Sequence, residues 1–204
     1  MIIAVEGIDG AGKHTLVDAL LNHLSATSIA FPRYEDSAAA QLAQAALRGQ
    51  MGDMAESAYG MAAVFALDRH GVKGELDRFT GNPDETVILD RYCASNAAYT
   101  WARTGDETAV RWVEELEFER LSLPRPDLQV LVPTSPEVAA ERAARREAAD
   151  DSRTRDRYER DFALQEATYA AYAALAERSW ASQWLVTADP AVIIDAISAR
   201  ATKR

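Results

Sequence analysis

The glycine-rich segment at residues 7–13 constrains the fold of this chain more than any other feature. It reads GIDGAGK, matches the pattern G-x-x-x-x-G-K, and directly follows an apolar run at residues 1–5. Glycines at these positions let successive backbone N–H groups converge on phosphate oxygens, and a helix starting there adds positive potential. A strand before and a helix after is the context of a Walker A loop, in which Lys13 reaches the β- and γ-phosphates. The sequence therefore predicts a nucleotide-phosphate site at the end of the first strand.

Short apolar runs and helical patterns alternate along the whole chain. The runs predicted as strands are residues 1–5, 28–31, 86–89, 128–132 and 184–186. Leucines at 16, 20 and 24, and alanine-rich stretches at 37–48 and 53–79, predict helices between them. Strands that are apolar on every residue are typical of a parallel sheet covered on both faces. We expect a single α/β domain over residues 1–204, with a three-layer P-loop NTPase fold and a five-stranded parallel sheet flanked by helices.

Two proline positions mark further helix starts. Ser135 precedes Pro136, and Asp189 precedes Pro190, so each pair offers a capping side chain followed by proline at the first helical position. These pairs come just after the fourth and fifth predicted strands. They predict that a helix follows each of these strands.

An arginine-rich segment at residues 142–160 differs from the rest of the chain. It holds seven arginines and five acidic residues around a polar centre at 150–152. We expect it to form a mobile, helical lid that is rich in basic side chains. The alternative is a solvated face whose charges pair with one another.

Composition narrows the classes of function. The formal net charge of −10 disfavours general binding to nucleic acids or anionic membranes, since both would repel most of this surface. The single cysteine, Cys93, cannot form an internal disulfide, and no basic segment followed by an apolar run opens the chain. No run approaches the ~18 apolar residues of a spanning helix. We expect a cytoplasmic protein.

The residue after the loop lysine departs from the usual pattern. That position normally carries a Ser or Thr whose hydroxyl binds Mg²⁺, whereas here it is His14, and Thr15 is turned about 100° further around the helix. Magnesium must therefore be held in another way. Asp9, Asp90 and Glu159 are the available carboxylates, and Mg²⁺ prefers hard oxygen ligands.

A second group of polar residues follows the third predicted strand. Residues 90–92 read DRY and lie at the carboxyl edge, where parallel sheets bind ligands. Asn96 is flanked at helical spacing by tyrosines 92 and 99, with Ser95 adjacent, so one helix face combines an amide, a hydroxyl and aromatic rings. An amide both donates and accepts, as a pyrimidine edge requires. The alternative is that the tyrosines belong to the core and Asn96 is solvated.

Two more segments carry the same combination of rings and arginines. Phe65 and Arg69 are one helical turn apart, so the ring could stack on a base while the guanidinium binds its edge; alternatively, Phe65 is a core residue. Residues 31–34 read FPRY and bring another arginine and tyrosine to the strand exit. Asp-x-x-Gly after a strand and Asn-Lys-x-Asp are both missing from the sequence, which disfavours a GTPase.

Taken together, these segments resemble the bacterial thymidylate kinases, from residue 1 to about residue 187. The segments that carry the resemblance are 7–13, 31–34, 65–69, 90–92, 95–99 and 157–159. The resemblance implies transfer of the γ-phosphoryl group from ATP to dTMP with Mg²⁺, by a homodimer. A monophosphate acceptor is already anionic at pH 7, because its second pKa is near 6, and it needs no general base.

The resemblance also implies roles for residues around the acceptor. Phe65 would stack on thymine, Arg69 and Asn96 would read its edge, and Pro32 and Ser95 would lie near the 5-methyl group. Tyr99 would crowd the sugar 2′ position and disfavour a ribonucleotide. The remaining residues implied in acceptor binding are Asp9, Arg33, Tyr34, Arg91, Tyr158 and Glu159.

On the donor side, the resemblance implies that the loop and the lid bind ATP. The implied residues are Gly7, Asp9, Gly10, Ala11, Gly12, Lys13, His14, Thr15, Arg142, Arg146 and Arg153. Catalysis would rest on Lys13, Asp9, Arg91 and Arg145, with the lid arginine supplying the cation at the transition state. Asp9 and Glu159 would hold the metal ion.

Two other functions stay open from the residues alone. A deoxynucleoside kinase shares the phosphate loop, and it would use a carboxylate such as Asp90 to deprotonate a sugar hydroxyl. A nucleotide-dependent switch protein would hydrolyse its nucleotide slowly and accept no small second substrate.

Overall fold

The computed structural model describes residues 1–82, 84–149 and 156–201. Arg153 and the centre of the predicted lid lie outside these described residues. Arginines 142, 145 and 146 lie in one helix before that gap, and arginines 157 and 160 lie in a short helix after it. None of the helices in the described ranges is long and apolar enough to cross a membrane.

Five parallel strands form the sheet, in the order β2-β3-β1-β4-β5. Their bounds are β1 Ile2–Glu6, β2 Ala26–Ala30, β3 Thr86–Asp90, β4 Leu128–Leu131 and β5 Trp184–Val186. Strand β1 is central and buried along its whole length, as its continuous apolar run predicts. The register pairs Val5 with Asp90, so the segments that follow β1 and β3 leave the sheet side by side. The predicted five-stranded parallel sheet is confirmed.

Helices cover both faces of the sheet. They are α1 Lys13–Leu21, α2 Ala38–Leu47, α3 Ala58–His70, α4 Lys73–Asp77, α5 Cys93–Thr104, α6 Thr108–Glu114, α7 Pro136–Ala149, α8 Arg157–Arg160, α9 Phe162–Glu177 and α10 Pro190–Ala201. A 3₁₀ turn at Met54–Glu56 precedes α3, and a π-helical segment at Glu115–Arg120 continues α6. Both helix starts predicted at proline are confirmed.

The helical stretch predicted over residues 53–79 is divided into three pieces. The side chain of Ser57 accepts a hydrogen bond from the amide of Gly60 at 3.0 Å, which starts α3 as an N-cap. Gly71 and Val72 then separate α3 from α4. Composition alone does not mark these breaks, because the alanines on either side favour helix equally.

The core lies on the two faces of the sheet, in agreement with the three-layer prediction. Ile3 and Val5 point into the larger cluster, which includes residues of α1, α5, α9 and α10. Ile2 and Ala4 point into the opposite cluster, with side chains from β3 and α4. The alternation follows from the two-residue period of a strand. The carboxyl edge of β1 and β3 is thereby held between rigid layers.

Candidate active site

The phosphate loop connects β1 to α1, in the predicted strand–loop–helix order. Gly10 has a φ of +80°, and a Cβ at this position would lie 2.3 Å from the carbonyl oxygen of Ala139 in α7. Only glycine fits such a close approach of two backbones. Gly7 and Gly12 lie in the same loop, and Gly12 is the N-cap residue of α1. The loop is therefore packed directly against the helix that carries the first lid arginines.

Lys13 and Asp9 form the charged centre of the loop. Lys13 is 8% exposed, and its ammonium donates a hydrogen bond to the carbonyl oxygen of Ile8 at 2.9 Å. Burial and the neighbouring Arg91 cation lower the pKa of Lys13 to about 8. Burial alone would raise the pKa of Asp9, but Arg91 and Lys13 outweigh it and bring that pKa to about 2. Asp9 therefore carries a full negative charge at neutral pH.

Arg91 lies directly after β3 and links the loop to α5. Its backbone has a φ of +68°, a left-handed conformation that costs a non-glycine residue about 1–3 kcal/mol. Its guanidinium donates to Ser95 Oγ at 3.1 Å and to the Tyr172 hydroxyl at 3.3 Å, and it pairs with the Asp9 carboxylate. Burial alone would lower the pKa of Arg91, but Asp9 outweighs it and the pKa is raised. The strained backbone thus holds a permanent cation at the sheet edge.

A buried carboxylate beneath Arg91 was not predicted. Glu6, the last residue of β1, is fully buried and accepts hydrogen bonds from the amide of Tyr92 at 2.8 Å, from Ser95 Oγ at 2.6 Å and from the Tyr172 hydroxyl at 3.1 Å. Burial raises its pKa. The only sequence signal was one acid at the end of an otherwise apolar strand. The hydroxyls of Ser95 and Tyr172 therefore donate hydrogen bonds to Glu6 and accept hydrogen bonds from Arg91.

An open cleft lies between α3, α5 and α8, with about 580 Å³ of unfilled space that is partly continuous with solvent. We call it the α3–α5 cleft. Its predicted lining residues are Asp9, Pro32, Tyr34, Phe65, Arg69, Arg91, Ser95, Asn96, Tyr99 and Tyr158, and its other lining residues are Phe31, Leu47 and Asp156. Residues from all six segments that carry the resemblance therefore meet in one cleft.

One end of the α3–α5 cleft holds a buried arginine and amide. Arg69 donates from Nε and Nη2 to the two carboxylate oxygens of Glu117, at 2.6 and 2.8 Å. Asn96 Nδ2 donates to Glu117 at 2.7 Å and to the carbonyl oxygen of Ala62 at 2.9 Å. Burial alone would lower the pKa of Arg69, but the Glu117 carboxylate outweighs it and the pKa is raised. Glu117 was not predicted as a site residue.

Two tyrosines enclose the other side of this cleft. Tyr99 and Tyr158 stack with ring centroids 6.0 Å apart, and the Tyr99 hydroxyl donates to Asp9 Oδ2 at 2.6 Å. The hydroxyl of Tyr158 is buried, and within the described ranges it has no hydrogen-bond partner. Burial raises the pKa of both phenols, so both stay protonated at neutral pH. Neither tyrosine is a simple core residue, since both face the cleft.

A second cavity runs along α1, on the other side of the phosphate loop. We call it the α1 cavity; it has about 790 Å³ of unfilled, partly open space. Its lining residues are Ala11, Gly12, Thr15, Leu16, Ala19, Thr134, Arg142, Ala188 and Pro190. Arg142 Nη1 donates to the carbonyl oxygen of Ala11 at 3.2 Å. The α1 cavity is thus lined by the phosphate loop, by Arg142 and by the segment before α10.

A third, smaller cavity lies between the loop, α7 and α9, and brings together Asp9 and Glu159. Gln165 also lines it and donates to Asp9 Oδ2 at 3.3 Å. Glu159 accepts from the amide of Asp156 at 3.1 Å, which completes the capping box at the start of α8. In the described ranges, no group of three or more His, Cys, Asp or Glu side chains is arranged to hold a metal. The two predicted metal ligands nevertheless face one space.

The predicted site residues that line none of these three cavities include Arg33, His14 and Arg145. Arg33 pairs with Asp68 Oδ1 at 3.1 Å and donates to the Asp68 carbonyl oxygen at 2.7 Å, so its guanidinium is bound to α3. The His14 side chain is 83% exposed. Arg145 is 77% exposed and pairs with Glu141 at 2.5 Å along α7. Of these three, the Arg33 guanidinium is already occupied by Asp68.

Comparison with known proteins identifies the family. The family model for thymidylate kinases matches residues 5–191. The chain is 49% identical over 194 residues to the thymidylate kinase of Mycobacterium tuberculosis, an alignment that covers 91% of this chain and 90% of that protein. The chain belongs to the thymidylate kinase family. The sequence-based resemblance is confirmed, and so is the prediction of a nucleoside monophosphate kinase; the alternative functions are not favoured.

Two solved structures share the fold of this thymidylate kinase family member. The thymidylate kinase of Candida albicans superposes with a TM-score of 0.70 at 21% identity, over 98% of this chain and 91% of that one. The deoxyadenosine kinase of M. mycoides superposes with a TM-score of 0.64 at 16% identity, over 100% of both chains. At these identities the likeness establishes the fold. Fold alone does not separate the two kinase classes, which leaves the discrimination to the residues of the site.

Proposed function

We propose that this chain transfers the γ-phosphoryl group of ATP to dTMP, with ATP in the α1 cavity and dTMP in the α3–α5 cleft. One observation carries the assignment. An aromatic ring, a guanidinium and a carboxamide, from Phe65, Arg69 and Asn96, converge at one end of a cleft whose other end opens on Arg91 and Asp9. A base fits at the first end and a phosphate at the second.

The base end of the cleft suits thymine. Phe65 offers a ring face for stacking. Arg69 supplies a donor for O4 of the base, and Asn96 supplies an acceptor for N3–H. Pro32 and Ser95 line the cleft where a 5-methyl group would lie, and Tyr99 would crowd a 2′-hydroxyl.

The phosphate end of the cleft suits a monophosphate that acts without a general base. Arg91 and Tyr34 line this end and would hold the acceptor phosphate. A monoester phosphate is anionic at pH 7, so its oxygen can attack directly once two repelling polyanions are held in line. Catalysis then consists of positioning and charge stabilisation. Because Arg33 is already bound by Asp68, we leave it out of this assignment.

The donor phosphates would lie on the loop amides, with Lys13 at the β- and γ-phosphates. Arg142 lines the α1 cavity, and the other lid arginines, Arg145, Arg146 and Arg153, would approach the transferred group when the lid closes. A lid arginine would supply a guanidinium at the transition state, because the loop itself carries no arginine, and lid closure would exclude water that hydrolyses ATP.

The residues present fit a magnesium ion. Asp9 and Glu159 offer carboxylate oxygens to one small cavity, and Mg²⁺ commonly takes one or two carboxylates and completes its shell with water and phosphate oxygens. Asp9 is suited to this role because its lowered pKa keeps it ionised. When bound, the ion neutralises phosphate charge. Asp9 and Glu159 would hold it between the loop and α8.

We propose that the chain acts in the cytoplasm as a homodimer. Exposed apolar side chains on neighbouring helices, among them Leu42 of α2 and Leu67 of α3, offer surface that a second copy would cover. A single cysteine is compatible with a reducing compartment.

A coupled assay of ADP formation tests the function. The protein is incubated with ATP and Mg²⁺ and, in separate reactions, with dTMP, thymidine, dUMP and dCMP. We expect ADP release with dTMP, weaker use of dUMP, and background rates with thymidine and dCMP. Activity with thymidine but not with dTMP would identify a deoxynucleoside kinase, and activity with dCMP but not with dTMP would overturn the base assignment.

A further inference from the structure

We propose that Glu117 is a positioning residue that sets the base specificity of the α3–α5 cleft. The inference rests on the proposed function, since it assumes that Arg69 and Asn96 meet the base of the acceptor. It goes further by naming the side chain that decides which hydrogen-bonding groups those two residues can offer.

Glu117 owes its position to an unusual stretch of backbone. It lies in the π-helical segment Glu115–Arg120, where the amide of Leu121 donates to the carbonyl oxygen of Leu116 at 2.9 Å. Such i→i+5 turns are rare in proteins, and those that do occur often lie at functional sites. Glu117 is fully buried, while Glu119 two residues later is exposed. A carboxylate is buried in this way only when donors compensate for its lost hydration.

Three donors converge on the Glu117 carboxylate. Two are Nε and Nη2 of Arg69, and the third is Nδ2 of Asn96. The other hydrogen on Nδ2 is directed to the carbonyl oxygen of Ala62. Both partners of the Asn96 amino group are therefore acceptors. Reversing the Asn96 amide would place its own oxygen against two other oxygens, so Glu117 and Ala62 fix its orientation.

This arrangement leaves the carbonyl oxygen of Asn96 as an acceptor and the Nη1 group of Arg69 as a donor for a ligand. Within the described part of the chain, no residue donates to Oδ1 of Asn96, and none accepts from Nη1 of Arg69. Thymine and uracil match that pair with N3–H and O4. Cytosine presents an acceptor at N3 and a donor at N4, and it meets two mismatches. A site built for one hydrogen-bonding pattern discriminates strongly against the other.

The test is the substrate selectivity of Glu117→Gln. Glutamine keeps the shape of the side chain but replaces one carboxylate oxygen with a donor, so it cannot satisfy three converging donors. We expect kcat/KM for dTMP to fall at least about tenfold, mainly through KM, and the ratio of kcat/KM for dTMP over dCMP to fall about tenfold or more. The ratio for dTMP over dUMP should stay within about twofold, because Glu117 does not touch the 5-methyl position.

The matched control is Glu119→Gln, which makes the same chemical change at an exposed position of the same segment. Both ratios should stay at the wild-type values in this variant. Thermal unfolding establishes that each variant is folded. If Glu117→Gln fails to fold, Glu117→Asp takes its place, because it keeps a charge for Arg69 but is too short to reach both partners. The same loss of dTMP over dCMP selectivity is expected.

The outcomes separate the inference from the proposed function. A folded Glu117 variant that loses activity equally with all three nucleotides, so that both ratios are unchanged, would overturn the inference and reduce Glu117 to a structural role. Wild-type protein that does not use dTMP would instead overturn the proposed function. Selective loss of discrimination against dCMP supports both.

Discussion

Arg91 pairs with Asp9 of the phosphate loop and lines the α3–α5 cleft. Replacing it with alanine tests whether it binds the acceptor dTMP rather than the donor ATP. The guanidinium is held by Ser95, Tyr172 and Asp9 and faces the phosphate end of the α3–α5 cleft. A hydrogen bond to a charged group contributes about 1.5–3 kcal/mol. Two such bonds to the acceptor phosphate amount to about 3–6 kcal/mol. We therefore expect Arg91→Ala to lower kcat/KM for dTMP by about 10²–10⁴-fold.

Binding of ATP should change much less in the same variant. Arg91 does not line the α1 cavity, and the loop amides and Lys13 stay in place. Removing the Arg91 cation also relieves its effect on Lys13, whose pKa it lowers. Isothermal titration with a non-hydrolysable ATP analogue should give a Kd within about threefold of wild type.

An exposed arginine provides the control for this experiment. Arg111 is 85% exposed and forms a surface ion pair with Glu115 at 3.3 Å. Such pairs contribute little, so Arg111→Ala should leave both kcat/KM for dTMP and the Kd of the ATP analogue unchanged. Equal losses of dTMP use and ATP affinity in a folded Arg91→Ala variant would refute the assignment of Arg91 to the acceptor side.

Three further predictions concern the loop and the lid. In a denaturant titration, Gly10→Ala should lower the free energy of unfolding by about 2–4 kcal/mol, because the left-handed backbone and a clash with Ala139 both disfavour a Cβ. The control is Gly49→Ala: Gly49 has a similar φ but open space around it, so this variant should show only the smaller backbone cost. The pKa of Lys13 predicts that kcat/KM for ATP declines as pH rises through about 8, since free enzyme loses this charge; a flat profile to pH 10 would contradict it. Arg142→Ala should raise KM for ATP about tenfold while KM for dTMP stays within twofold, and the reverse pattern would refute its donor role.

The sequence predicted those parts of the molecule that depend on local pattern. Strand β1 was visible as a continuous apolar run, because a strand covered on both faces has no polar side to show. The helix starts at Pro136 and Pro190 were visible because proline and its capping neighbour act locally. The spacing of Phe65 and Arg69 placed both on one helix face, and both line the cleft.

The parts that escaped prediction depend on long-range contacts. Glu117 reads as one acid among several in a charged stretch, and nothing local marks it as the buried one. Its burial depends on a π-helical turn and on donors 48 and 21 residues away, in Arg69 and Asn96. The resemblance implied that Arg33 binds the acceptor, but Asp68 on α3 binds its guanidinium. Competition between partners for one side chain is a property of the folded structure.

A crystal structure of the protein grown with dTMP would show directly whether the nucleotide binds in the α3–α5 cleft. We expect the base to lie against Phe65, with N3 at about 3 Å from Asn96 Oδ1, O4 near Arg69 and the phosphate on Arg91. Binding of dTMP outside the α3–α5 cleft, or with its base at the Arg91 end, would contradict the proposed acceptor site.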